Sequence, residues 1–162
     1  MRKLVTVVGA AALFSIAPLS AQGQVLLGPT LAFHDDLDFG IGATVGFDLP
    51  SISPGVGFMG DFIIFFPDGI DYFEINLNGT YDFPLEDSTV LPFVLAGLNI
   101  GRASVDFAGV SASNTDVSLN LGGGVGFDAG TMRPKVGGRF ALGDGTGFVV
   151  FATLPFQVGG TN

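Results

Sequence analysis

The residues of this sequence that could do chemistry begin with a group of cations on one short stretch. Apart from Arg2 and Lys3, the chain has four basic residues, and three of them fall between Met132 and Leu142. These three are Arg133, Lys135 and Arg139. Residue type alternates along the stretch, and successive side chains leave a strand on opposite sides. We therefore expect one cationic face and one apolar face on a single strand.

Carboxylates recur on the polar faces of other alternating segments. A soluble sheet turns its charged face to water, whereas a transmembrane barrel turns its apolar face to lipid and its polar face to the lumen. In the second case, acids and cations must neutralise each other across a narrow interior. The predicted lumen charge network consists of Asp48, Asp61, Glu74, Asp82, Asp128, Arg133, Lys135 and Arg139. Binding of an anion by the three cations is the alternative.

The strand before the cations predicts how that hairpin pairs. Val117 to Asp128 alternates apolar with small or polar residues, and Gly130-Thr131 suits a two-residue type II′ turn. This register places an acid opposite the first cation and glycine opposite the other two, where it leaves room for their long side chains. The predicted pairs are Asp128 with Arg133, Gly126 with Lys135, Gly124 with Gly137, and Gly122 with Arg139.

Other candidate chemistry is sparse. The single histidine, His34, falls in the acidic stretch His34–Asp38, which we interpret as a solvated loop because its spacing does not match a calcium-binding loop. No serine–histidine–acid arrangement is apparent. The glycine runs Gly122–Gly126 and Gly143–Gly147 do not match a dinucleotide-binding motif. We therefore predict no enzyme, no catalytic residue, no cofactor and no metal.

Composition narrows the class of protein. The 162 residues include no cysteine, only 13% charged residues and a net charge of −9. Soluble domains usually carry about 25–35% charged residues on their surface. An acidic chain also lacks the basic surface that nucleic-acid binding needs, so no nucleic-acid partner is expected.

The start of the chain resembles an export signal. A basic Met1-Arg2-Lys3 precedes an apolar run that ends in Ser20-Ala21. We predict a signal peptide over residues 1–21 and a single domain over residues 22–162. A membrane-anchoring helix is the alternative, although the run is short for a span.

The rest of the chain divides into eight strand-like segments separated by turn residues. Their approximate bounds are 25–33, 39–49, 56–66, 72–83, 91–101, 117–128, 132–142 and 147–158. On the fifth we place Val94, Ala96, Leu98 and Ile100 outward. Segments of this length suit membrane-crossing strands of about 9–11 residues. We therefore predict an all-β fold, an eight-stranded antiparallel up-and-down transmembrane β-barrel with both termini at one end.

The connections alternate between the two ends of this predicted barrel. Those expected at the end opposite the termini are His34–Asp38, Pro67–Asp71, Arg102–Asp116 and Gly143–Thr146, of which the third is the longest loop. Those expected at the end that holds the termini are Pro50–Gly55, Pro84–Thr89 and Gly130-Thr131.

Two stretches resemble a known family. Pro92 to Gly101 is similar to the proline–aromatic–alanine–glycine strand of small bacterial outer-membrane β-barrel proteins, and Gly122 to Phe127 resembles their glycine-rich next strand. The resemblance implies a bacterial outer-membrane location. It also implies insertion from the periplasm, with periplasmic chaperones, the barrel-insertion machinery and outer-membrane lipid as partners. Both termini and the short turns would then lie on the periplasmic side, and the longer loops on the outer side. Such barrels usually end on an aromatic residue, whereas Gly159-Gly160-Thr161-Asn162 ends this chain.

The function predicted from these patterns is structural or surface-interacting, in a monomer whose lumen is filled by side chains. Two alternatives stay open. One is a narrow channel or binder for small apolar molecules. The other is a soluble secreted barrel that binds lipid in an apolar interior.

Overall fold

The computed structural model describes residues 25–107, 110–143 and 146–158. The predicted signal peptide lies outside the described residues. The strands are β1 (Val25–His34), β2 (Asp38–Asp48), β3 (Val56–Phe65), β4 (Asp71–Asp82), β5 (Val90–Phe107), β6 (Val110–Phe127), β7 (Lys135–Leu142), β8 (Thr146–Thr153) and β9 (Phe156–Val158). Within these ranges, no helix is both long and apolar enough to cross a membrane.

The strands form one closed antiparallel sheet. Each of β2 to β7 pairs with its two chain neighbours, and β1 pairs with β2 on one side and with β8 and β9 on the other. Strands β8 and β9 are two parts of the predicted eighth strand, separated by Leu154 and Pro155, where proline offers no N–H to the ladder. The prediction of an eight-stranded antiparallel up-and-down β-barrel is confirmed.

The hairpin that carries the cations has the predicted register. Gly122 lies opposite Arg139, Gly124 opposite Gly137, and Gly126 opposite Lys135. Gly130 has a φ of 76°, and Thr131 has no positive φ, which fits a type II′ turn. A Cβ at Gly122 would collide with the backbone of the facing strand, so that position requires glycine.

The predicted long loop Arg102–Asp116 is wrong, because most of it is strand. β5 and β6 continue to Phe107 and from Val110, with Arg102 opposite Thr115. Once the hairpin has formed, pairing one more residue on each strand costs little further loop-closure entropy. β-branched residues such as Thr115 also favour the extended chain. The result is a ribbon, which we define as residues 105–107 and 110–116; in these ranges β5 and β6 pair only with each other.

The outer surface is apolar and the interior is polar at mid-height. On the fifth strand Val94, Ala96 and Leu98 face outward, as predicted. Leu121 is 57% exposed, whereas Arg139 is fully buried. This distribution is the reverse of the one required by a soluble barrel with an apolar interior.

The interior also contains an apolar cluster that the sequence patterns did not predict. Its buried members pack together from strands on opposite sides of the barrel. They are Ala32, Met59, Ile63, Phe65, Phe93, Leu95, Val149 and Phe151. The lumen is therefore filled partly by apolar side chains. Their burial removes apolar area from water, which the outer face does not add to because lipid covers it.

A cation on the outer face tests this orientation. Leu121→Arg near mid-barrel is expected to lower the free energy of unfolding in lipid by about 2–4 kcal/mol, because an arginine side chain would face hydrocarbon. The matched control is Val117→Arg on the same face of β6, nearer the end of the barrel, with an expected cost of about 0–1 kcal/mol. Urea titration in lipid vesicles measures both. Equal, small effects would contradict an outer face that lies in lipid.

Candidate functional site

The centre of the lumen is an arginine between two acids. Arg139 on β7 reaches across the barrel, and its Nη2 donates to Glu74 Oε2 on β4 at 3.1 Å. Its Nη1 lies 3.6 Å from Asp61 Oδ2 on β3. All three side chains are at most 1% exposed. Charges this deeply buried require partners, so the three side chains fix one another's positions.

The guanidinium of Arg139 also meets an apolar surface. Its Cζ lies 5.4 Å from the centre of the Phe151 ring. A guanidinium over an aromatic face is attracted by the negative charge density of the ring. The arginine therefore joins the ionic and the apolar parts of the lumen.

A cluster of four asparagines continues the polar interior beside the arginine. Asn76 Oδ1 accepts hydrogen bonds from Nδ2 of Asn99 at 2.9 Å and from Nδ2 of Asn120 at 2.8 Å. Asn120 Nδ2 also donates to Asn78 Oδ1 at 2.9 Å. Asn76 Nδ2 lies 3.4 Å from Glu74 Oε2, so the amide cluster is continuous with the ionic centre.

A glycine makes the asparagine cluster possible. Gly97 lies between Asn78 on β4 and Asn120 on β6 in the register of the sheet. A Cβ at Gly97 would come within 2.8 Å of Asn78 Oδ1 and closer still to its backbone. The absent side chain therefore lets the two amides meet across β5.

Two further ion pairs occupy the terminal end of the barrel, where Val25 and Val158 lie. Lys135 Nζ is 2.6 Å from Asp82 Oδ1 and stands 4.7 Å from the centre of the Phe93 ring. Arg133 Nη1 is 2.6 Å from Asp48 Oδ2, and this pair is the more exposed of the two. Seven of the eight residues of the predicted network thus lie in three charged groups across the lumen.

Asp128 is the exception, and its predicted contact with Arg133 is wrong. Asp128 is exposed, and its Oδ1 accepts a hydrogen bond from the N–H of Gly130 at 3.1 Å. A short carboxylate readily bonds the backbone of its own turn. The longer Arg133 side chain extends instead to Asp48 on β2.

The position predicted for His34 is also wrong. His34 is the last residue of β1, not part of a solvated loop, and is 7% exposed. Its ring packs edge-on against Phe65 at 5.7 Å. Asp35 holds the following turn against β8, because it exchanges hydrogen bonds with the backbone of Phe148. An inward position in the strand alternation explains why the imidazole is buried.

The asparagines are the functional residues that the sequence reasoning missed. Their signal was present, because Asn76, Asn78 and Asn120 fall on the polar face of alternating segments. The predicted network contains only charged residues from those faces. A pattern shows which face a residue occupies but not which partner lies opposite.

The sequence model of the family described as outer membrane protein beta-barrel domain matches residues 6–150. No curated protein sequence matches the chain.

Solved structures share the fold at low sequence identity. Neisserial surface protein A is 18% identical, with a TM-score of 0.66, over 85% of this chain and 97% of the other. The N-terminal barrel domain of Pseudomonas aeruginosa OprF is 16% identical, with a TM-score of 0.70, over 84% and 99%. Ail, the attachment invasion locus protein of Yersinia pestis, is 17% identical, with a TM-score of 0.61, over 83% and 95%.

The closed eight-stranded sheet, the apolar outer face and the family match lead to one conclusion. The chain belongs to the outer membrane protein β-barrel family.

Proposed function

We propose that this protein has a structural or surface-interaction role in the outer membrane, without catalysis, and that side chains close its lumen. The observation that carries the surface role is the ribbon. β4 begins at Asp71, opposite Ser104, and β7 ends at Leu142, opposite Leu119. Beyond these rungs, β5 and β6 pair only with each other among the described residues.

The ribbon has the properties of a contact surface. Its side chains from Ala112 to Asp116 are all exposed, and most are small and polar. Unpaired backbone groups along a strand edge can pair with an extended segment of another protein. Two structural neighbours are named a surface protein and an attachment invasion locus protein, which supports the same kind of role here.

The proposed orientation and partners follow from the outer-membrane barrel. The end opposite the termini, which we name the loop end, would face outward with the ribbon, and lipid would cover the apolar belt. Biogenesis would use a cleaved signal over residues 1–21, periplasmic chaperones and the barrel-insertion machinery. We propose a monomer, because a closed barrel leaves no unpaired strand at membrane depth.

A closed lumen accounts for the interior better than a channel does. The Arg139 centre, the asparagines and the apolar cluster fill the mid-barrel from opposite walls. A binder for small apolar molecules has little support, because the cavity at the loop end is lined by carboxylates. We therefore propose that the seven clustered charges act as internal structure.

Removing the central cation tests this role of the lumen. Arg139→Met is expected to lower the free energy of unfolding by about 3–5 kcal/mol, because Glu74 and Asp61 would stay buried without a counter-charge. Neutralising both acids in the same chain, Asp61→Asn with Glu74→Gln, should recover most of the loss. Arg133→Met is the matched control, since a partly exposed pair contributes about 0–1 kcal/mol. Urea titration in vesicles measures all variants. Equal losses for Arg139→Met and Arg133→Met would contradict a central role.

Cysteine labelling tests which end of the barrel faces outward. The chain has no native cysteine, and Ala112 on the ribbon and Ala129 near the terminal end are both exposed. A membrane-impermeant maleimide should label Ala112→Cys on intact cells. It should label Ala129→Cys only after the outer membrane is permeabilised. The reverse pattern would overturn the proposed orientation.

Shortening the ribbon tests the surface role itself. Replacing residues 105–112 by an Asn-Gly turn should leave heat-modifiable gel migration intact, because the barrel rungs are untouched. Adherence of expressing cells to protein-coated surfaces and to one another should fall to the level of cells that lack the protein. Unchanged adherence, in cells where the full chain promotes it, would rule out the ribbon as the contact surface. A full chain that promotes no adherence would count against the surface role.

A further inference from the structure

The loop end of the barrel contains a cavity of about 310 Å³. This volume reaches the lower end of the range found for small-molecule sites. The polar residues that line it come from strands on several sides of the barrel and from the β1–β2 turn. They include His34, Asp36, Tyr72, Glu74, Asp116 and Ser118.

The charge of the cavity is one-sided. Among the described lining residues, three are carboxylates and none is a lysine or an arginine. Arg139 neutralises Glu74 from below, at 3.1 Å. Asp116 accepts a hydrogen bond from the neutral amide of Asn114 at 2.7 Å, which leaves its charge uncompensated. Asp36 has no lysine or arginine beside it among the described residues of the cavity wall. A cationic occupant would be attracted to this site.

The cavity is also lined by a buried histidine whose Nε2 has no hydrogen-bond partner among the described residues. His34 is more than nine-tenths buried and forms part of the wall. Its Nδ1 accepts the N–H of Asp36 at 3.0 Å. Nδ1 also lies 3.0 Å from Asp35 Oδ1, which accepts the N–H of Phe148. Because Nδ1 accepts the N–H of Asp36, we assign the ring proton to Nε2, which can donate to a ligand in the cavity.

The carboxylates and the imidazole donor would bind different chemical groups of one ligand. Carboxylates select an ammonium group, and the free imidazole donor selects an oxygen that accepts a hydrogen bond. The Ser118 hydroxyl also lines the site, and apolar walls at Leu37 and Ala141 can cover the carbon skeleton. We propose that this cavity binds a small hydroxylated primary amine, of the size and chemistry of a single amino sugar.

Calorimetry with matched ligands tests the proposal. The full-length mature chain is purified in a polyoxyethylene detergent, which carries neither charge nor sugar, and titrated with glucosamine near neutral pH. Glucose is the control for charge, because it keeps the ring and loses the ammonium. Putrescine is the control for the hydroxyl groups, because it keeps ammonium groups and has no oxygen. We expect glucosamine to bind at least about tenfold more tightly than either control.

Matched variants locate the binding. Asp116→Asn and His34→Gln should each weaken glucosamine binding about tenfold or more. Asp68→Asn is the control, because it removes an exposed charge from the loop end without touching the cavity. Heat-modifiable migration verifies that each variant is folded.

Three outcomes would overturn the proposal. The first is the absence of binding by glucosamine at tens of millimolar, roughly the weak limit of specific affinity. The second is equal affinity for glucosamine and either control ligand. The third is equal weakening by Asp68→Asn and Asp116→Asn, which would reduce the effect to general attraction by an acidic rim. None of these depends on whether the ribbon contacts other proteins.

Discussion

The structure depends on one constraint, which is that lipid offers neither hydrogen-bond partners nor counter-ions. Every backbone group at membrane depth must bond within the sheet, so the sheet has to close. Every charge at that depth must turn inward and find an opposite charge there. Closure by β1 with β2, β8 and β9 meets the first demand. The buried contacts of Arg139 with Glu74 and Asp61 meet the second.

The interior of so narrow a barrel is a packing problem as much as an electrostatic one. A long cation on β7 can reach acids on β3 and β4 only where neighbouring positions have no side chain. Gly122 faces Arg139 across the hairpin, and Gly97 separates two asparagines that bond to each other. The apolar cluster around Ile63 and Phe151 fills what the polar groups leave. The glycines, asparagines, charged residues and apolar residues of the lumen therefore depend on one another for space.

Features of the fold that depend only on the alternation of side chains could be predicted from the sequence. Strand number, the outward faces of β5 and β6, and the register of the β6–β7 hairpin follow from a period of two and one turn. Contacts between strands distant in the chain could not be predicted. Alternation shows which face of a strand a residue occupies, but not its position along the barrel axis. For this reason Arg133 was paired with its sequence neighbour Asp128 instead of Asp48.

Two other errors have the same origin in local reasoning. Small polar residues in Arg102–Asp116 indicate a loop when read locally, yet pairing between β5 and β6 extends them into strands. His34 was grouped with the acids that follow it, although it completes the inward face of β1.

The most direct test of the account is a measurement of which side chains touch the membrane phase. Nuclear Overhauser contacts between detergent acyl chains and methyl groups can be recorded on the folded barrel in micelles. The account predicts contacts at Leu121 and Val136, which are exposed. It predicts none at Leu95 and Val149, which are buried. Acyl contacts at Leu95 and Val149, with Leu121 and Val136 protected, would contradict the inward placement of the charges.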